Sequence, residues 1–157
     1  MIDGFVLCLA FNFLSLNNQI DIKDSGIRNA CKNSHHLATV SQEYNIDPFV
    51  YAALIYNESR WVPDLVSPAG ACGLTQVLHK YVKPTCNQLK EPETSIIYGA
   101  KSLSYWKKYK KGSMFKALNC YSSGYKCNNP AYSRRILKIS KKLKKQYNII
   151  KERILYE

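Results

Sequence analysis

Glu58 stands where an apolar run at helical spacing meets a glycine-rich turn, with the side-chain amide of Gln76 close behind. A carboxyl group among apolar neighbours holds its proton toward neutral pH. Such a group can protonate the oxygen of a glycosidic bond. Tyr51, Leu54, Tyr56 and Trp61 are the apolar neighbours in sequence. A glutamate at the end of a buried helix is more often just solvated or ion-paired. Arg60, two residues on, does not share its helical face. Asp64 is the rival second carboxylate; facing Glu58 across a cleft, it would permit plain hydrolysis. His35, His36 and His79 have no metal-ligand spacing to any acid, so neither a metal nor another cofactor is expected.

The elements that must hold these groups read as helices. His35 to Tyr44 carries Leu37, Val40 and Tyr44 on one face. Asp47-Pro48 is a helix start, with the Asp as cap and Pro at the first position. The helix from Pro48 to Arg60 is apolar nearly all round, which predicts burial, and Pro63 and Ser67-Pro68-Ala69-Gly70 end it. Gly73 to Leu78 reads as a short helix or irregular turn, and Pro84 to Leu89 as a loop. Pro92 opens a helix through Ile96, Ala100, Leu103 and Trp106. Met114 to Tyr121 is a short helix, and Asn128-Asn129-Pro130 a turn. A last helix from Ala131 to Tyr156 has one apolar stripe and one lysine face. No strand is expected with any force, so the fold reads as mainly α.

The bulk composition permits one domain with a real core: 157 residues, 46% hydrophobic, 22% charged. The formal charge of +12, from 23 Lys and Arg against 11 Asp and Glu, attracts polyanions. Nucleic acid, anionic membrane and anionic wall polymer all qualify. Specific nucleic-acid binding is disfavoured, because the usual modules and an Arg-rich reading face are missing. Residues 1–20 include the apolar stretch Gly4 to Leu16, of the length of a signal-peptide core and too short to span a bilayer comfortably. The other reading is a buried N-terminal helix. Residues 21–34 read as a polar connector, and 35–157 as the domain. The six cysteines, Cys8, Cys31, Cys72, Cys86, Cys120 and Cys127, suit disulfides in an oxidising compartment. Loss of Cys8 with a leader would leave five: two bridges, guessed as Cys72–Cys86 and Cys120–Cys127, and one free thiol.

Glu58-Ser59, Ser67, Gly70-Ala71, Gly73-Leu74 and Gln76 together resemble the motif of the soluble lytic transglycosylase (SLT-type, lysozyme-like) family. Downstream, Glu91-Pro92-Glu93 into Ile97-Tyr98-Gly99-Ala100 is similar to the helix that packs under that family's site. Ala117 to Gly124 resembles its Ala-x-x-x-Tyr-Asn-x-Gly segment, and Ala131-Tyr132 with Ile136 the segment that closes the domain. The resemblance runs from about His35 to Leu143. Ser122 stands where the family has Asn, Thr75 where it has Met, and His79 where Pro is common.

The resemblance implies a compact, goose-type or SLT-like helical domain with a substrate cleft. It implies Glu58 as sole acid and base, cleaving peptidoglycan glycan strands between N-acetylmuramic acid and N-acetylglucosamine with a 1,6-anhydro product. Gln76 would hold the sugar or its N-acetyl group, and Ser67 would bond near the acid unless it is simply a turn cap. Tyr121 would present its hydroxyl unless it is core, with Ser122 beside it. Gly70 and Gly73 would let the backbone turn close to the sugar. A location outside the cytoplasm follows, cell-wall facing or phage-borne. Secretion, conjugation, phage entry and phage release all suit it. Hydrolytic muramidase activity and an inactive wall-binding component are the alternatives. The lysine face of the last helix is either a solvated docking face or a contact for anionic wall polymer or lipid.

Overall fold

The computed structural model describes residues 1–156. Seven α-helices, one small hairpin and two 3-10 turns (His79–Tyr81 and Gly124–Lys126) are the regular elements of the described residues: α1 (Gly4–Leu16), α2 (Asp24–Glu43), α3 (Pro48–Ser59), β1 (Ala71–Cys72), β2 (Val77–Leu78), α4 (Cys86–Leu89), α5 (Pro92–Tyr109), α6 (Met114–Ser123) and α7 (Pro130–Tyr156). The mainly α reading is what the chain adopts.

The central element is α3. Asp47 caps it by accepting the amides of Phe49 and Val50 at 2.8 and 3.3 Å, and Pro48 fills the first position, where its missing N–H leaves no helical bond unmade. Every side chain from Phe49 to Tyr56 is buried. α7 and α2 pack against it, α5 and α6 form a hairpin beside them, and α1 closes the far side against α2 and α7. One continuous core joins residues of α1 to those of α7. A smaller cluster of Cys72, Val77 and Leu89 sits under the hairpin.

Two features depart from the sequence expectations. Residues 21–34 are not a connector, because α2 begins at Asp24, well before His35. Its inner face carries Gly26, Asn33, Ser34 and Ser41 among Ile27, Ala30, Leu37 and Val40, so the apolar stripe is broken in sequence. Two of the polar groups bond within the helix: Asn33 donates to the Asn29 carbonyl and Ser34 to that of Cys31, while the buried Ser41 hydroxyl has no partner among the described residues. Nor is any thiol free among the described residues. Cys72–Cys86 and Cys120–Cys127 pair, and Cys8 of α1 pairs with Cys31 of α2. With residue 8 present, all six cysteines pair and α1 is bridged to the domain.

Candidate active site

The turn that ends α3 is built from backbone that side chains rarely adopt. Arg60 and Trp61 both have positive φ, 52° and 61°. Such residues persist only where their surroundings over-determine them. Here the Arg60 guanidinium bonds the Tyr56 carbonyl at 2.8 Å and lies over the Tyr56 ring, 4.2 Å from its centroid. Asn29 of α2 donates to the Trp61 carbonyl, and Phe11 of α1 meets the buried Trp61 indole edge-on at 5.9 Å. Gly26 lets α2 come this close; a Cβ there would stand 2.5 Å from the Arg60 carbonyl oxygen. The arginine therefore points back along α3, and Glu58 is left without it.

Glu58 is half-buried at this helix end. Burial raises its carboxyl from the ordinary 4.5 to about 7, against opposing pulls from the Tyr132 hydroxyl, which donates to Oε1, and from the charge of Arg135. Asp64 lies exposed in the following loop and is not among the groups that set this proton affinity.

The glycine-rich segment folds back under the acid. Ser59 donates to the Leu74 carbonyl at 2.8 Å, tying the Glu-Ser pair to the Gly-Leu pair. Thr75 is buried, its hydroxyl on the Ser95 carbonyl at 2.9 Å and its amide on the Ser95 hydroxyl at 3.1 Å. The departure at Thr75 is thus absorbed by Ser95 of α5. Tyr121 donates to the Thr75 carbonyl at 2.7 Å; burial first, and the Glu58 charge after it, raise the phenol's proton affinity. Tyr121 therefore belongs to the group around the acid, with its own proton engaged.

Three expected site residues behave less simply. The Ser67 hydroxyl accepts the Ala71 amide at 3.0 Å and closes the Ser67–Ala71 turn; it is the turn cap. Gln76, at φ 52°, donates from Nε2 to the Leu65 and Gly73 carbonyls, so only Oε1 remains to meet a ligand N–H. Ser122 is exposed and accepts from Asn129, whose own carbonyl oxygen receives the Tyr132 amide. An amide side chain thus returns beside Ser122 from the start of α7.

Gly70 and Gly73 differ in kind. Both have positive φ, 86° and 77°, but a Cβ at Gly73 would stand 1.9 Å from the Leu89 carbonyl oxygen, whereas one at Gly70 meets only His79 at 3.5 Å. Gly73→Ala is expected to lose about 3 kcal/mol or more of stability and Gly70→Ala about 1 kcal/mol, read from urea midpoints. Equal effects would mean that the Gly73–Leu89 approach is absent in solution.

The sequence does not single out Tyr132 as a site residue; it marks Ala131-Tyr132 only as part of the segment that closes the domain, and Tyr132 stands on the first turn of α7. Its hydroxyl favours the ionised carboxylate, so Tyr132→Phe should move the alkaline limb of activity upward by about one pH unit. A pH profile of kcat/KM checks this; a downward shift refutes the contact.

A mainly helical domain that presents one proton-retaining carboxyl on a braced helix end fits the lysozyme-like class. Residues 36–148 match the family described as "Transglycosylase SLT domain", and the chain belongs to that family. Membership carries the general activity, transglycosylase degradation of glycans, and peptidoglycan as the substrate class.

Proposed function

We propose that the chain is a lytic transglycosylase that cleaves the MurNAc-β-1,4-GlcNAc bond with Glu58 as the only acid and base. The observation that carries this reading is the Glu58 carboxyl, held near pH 7 by burial and without a coupled second carboxylate. Glu58 gives its proton to the bridging oxygen as the C1–O bond breaks, and N-acetylglucosamine leaves with that proton. The N-acetyl oxygen of the muramoyl sugar supports the positive charge at C1 from the opposite face. The Glu58 carboxylate then takes the C6 hydroxyl proton while O6 bonds to C1. The acid is restored, no water enters, and a 1,6-anhydro end results. In this reading Gln76 Oε1 accepts an N–H of the sugar, and Tyr121 and Tyr132 hold the acid's surroundings. Such an enzyme works on the wall, outside the cytoplasm.

Digestion of purified sacculi followed by mass spectrometry tests the reading. Fragments lighter by one water than reducing-end products support it. Reducing-end products would make the chain a muramidase, and sacculi that are bound but release no fragments would make it a wall-binding component.

A further inference from the structure

Four aromatic side chains meet on the α5–α6 hairpin, and the reaction at Glu58 uses none of them. Tyr105 and Tyr109 lie one helical turn apart on α5, their rings within 7° of parallel and 6.4 Å apart. Trp106 lies edge-on to Tyr105, Tyr109 and Tyr125 at 5.0, 5.7 and 5.0 Å, with one side packed on the core. Tyr125 meets Tyr109 at 5.4 Å, and its hydroxyl is hydrogen-bonded to that of Tyr105. The three tyrosines nevertheless remain 49%, 48% and 67% exposed. An ordered, solvent-facing aromatic cluster of this kind marks a binding surface more often than a core.

Two further observations say what it binds. The short 3-10 turn Gly124–Lys126 that carries Tyr125 is stapled to α6 by Cys120–Cys127 and by the Cys127 amide on the Gly124 carbonyl at 3.0 Å, so the rings are preorganised. The charge along the chain that carries them is of one sign. No acidic residue lies between Glu93 and Glu152, and Lys110 stands 4.9 Å from the Tyr109 ring centroid; Lys108 and Lys111 beside it in sequence, and Lys126 next to Tyr125, are solvent-exposed. Aromatic faces suit the C–H faces of pyranose rings. Lysines suit the carboxylates of stem peptides hanging from them.

We propose that the Tyr105–Tyr109–Tyr125 surface is a second binding site for peptidoglycan, taking a peptide-bearing stretch of glycan strand outside the cleaved bond. The proposal rests on the peptidoglycan reading of the Glu58 site. Tyr121 and Tyr125 flank the end of α6: the first reaches Thr75 beside the acid, and the second lies in the aromatic cluster. One strand held at both places gains avidity, because its second contact is intramolecular.

The test uses the full chain carrying Glu58→Gln, so that sacculi are bound without turnover. Adding Tyr109→Ala and Tyr125→Ala should weaken co-sedimentation with sacculi about tenfold or more. Tyr109→Phe with Tyr125→Phe, which keeps the ring faces, should stay within about twofold. Lys110→Glu with Lys126→Glu alters charges that are not buried, keeps the test open if the alanine pair melts early, and should weaken binding by a similar factor. Unchanged binding in the folded alanine pair or in the charge-reversed pair overturns the proposal. So does a duplex DNA that displaces the chain from sacculi through these same residues. The readout is independent of catalysis: if the wild-type chain releases no fragments while the Glu58→Gln variants still lose sacculus binding as expected, the lyase reading fails and this site stands.

Discussion

Glu58→Gln is expected to lower kcat/KM on sacculi by about 10²–10⁴-fold, the usual contribution of a positioned general acid, while the fold persists. The amide is nearly isosteric and still accepts the Tyr132 hydroxyl, but it has no proton to give. The wild-type pH profile should show one limb only. Activity needs the protonated acid, so kcat/KM is level below about pH 7 and falls tenfold per pH unit above it. A two-carboxylate hydrolase would add an acidic limb near pH 4, and such a limb would bring Asp64 back as a partner. Stability carries the same signature with a definite sign. The folded chain holds the Glu58 proton up to about pH 7 and the unfolded chain only to about 4.5. Wild-type stability therefore falls as pH rises from about 4.5 to 7, then levels off, by up to about 3 kcal/mol before solvent screening of this half-buried group. Glu58→Gln lacks that decline. It should melt with wild type at pH 4 and above it at pH 8. A variant that still lyses sacculi, or that melts below wild type at pH 8, would remove Glu58 from its role.

Much of this site was visible in the chain before its fold was known, and the reasons are local. Asp47-Pro48 and the wholly apolar run after it fix α3, and the glycines with Gln76 mark a turn only special backbone can make. What the sequence hid is tertiary. Tyr132 and Glu58 are neighbours only because α7 lies along α3, and no spacing along the chain encodes that. Ser67 has the right type for a ligand, yet its hydroxyl serves the local turn, as short polar side chains at turns commonly do. The hairpin of Ala71–Cys72 with Val77–Leu78 is too short for any alternation to declare it. The first half of α2 was hidden because Asn33 and Ser34 face inward and bond their own helix's backbone, while Asn29 reaches across to the Trp61 carbonyl. Cys8 read as part of a leader because Gly4 to Leu16 is apolar nearly throughout, although only one side of that helix needs to be.

Removing residues 1–20 is expected to leave a chain that does not fold cooperatively. The family match begins at residue 36, so α1 lies outside it, yet α1 is not an ornament. Val6, Leu7, Phe11 and Leu14 are buried to within a few per cent. At about 1.5–3 kcal/mol for each such side chain, their loss approaches the 5–15 kcal/mol that holds an ordinary domain together. The deletion also strips Phe11 from Trp61, which has no exposure of its own, and leaves Cys31 without Cys8. The damage points at chemistry as well as stability. Trp61 anchors the left-handed turn that ends α3, and that turn sets where Glu58 stands. A leader and a core helix make opposite demands on the same residues. If α1 is a core helix, chain 21–157 should bind hydrophobic dye, lose its sharp melting transition and release no fragments from sacculi, and the protein recovered from cells should retain residue 8 in a bridge to Cys31. A shortened chain that melts within a few degrees of the full one, with activity intact, would return residues 1–20 to the role of a removable segment and free the Arg60–Trp61 turn from any need of Phe11.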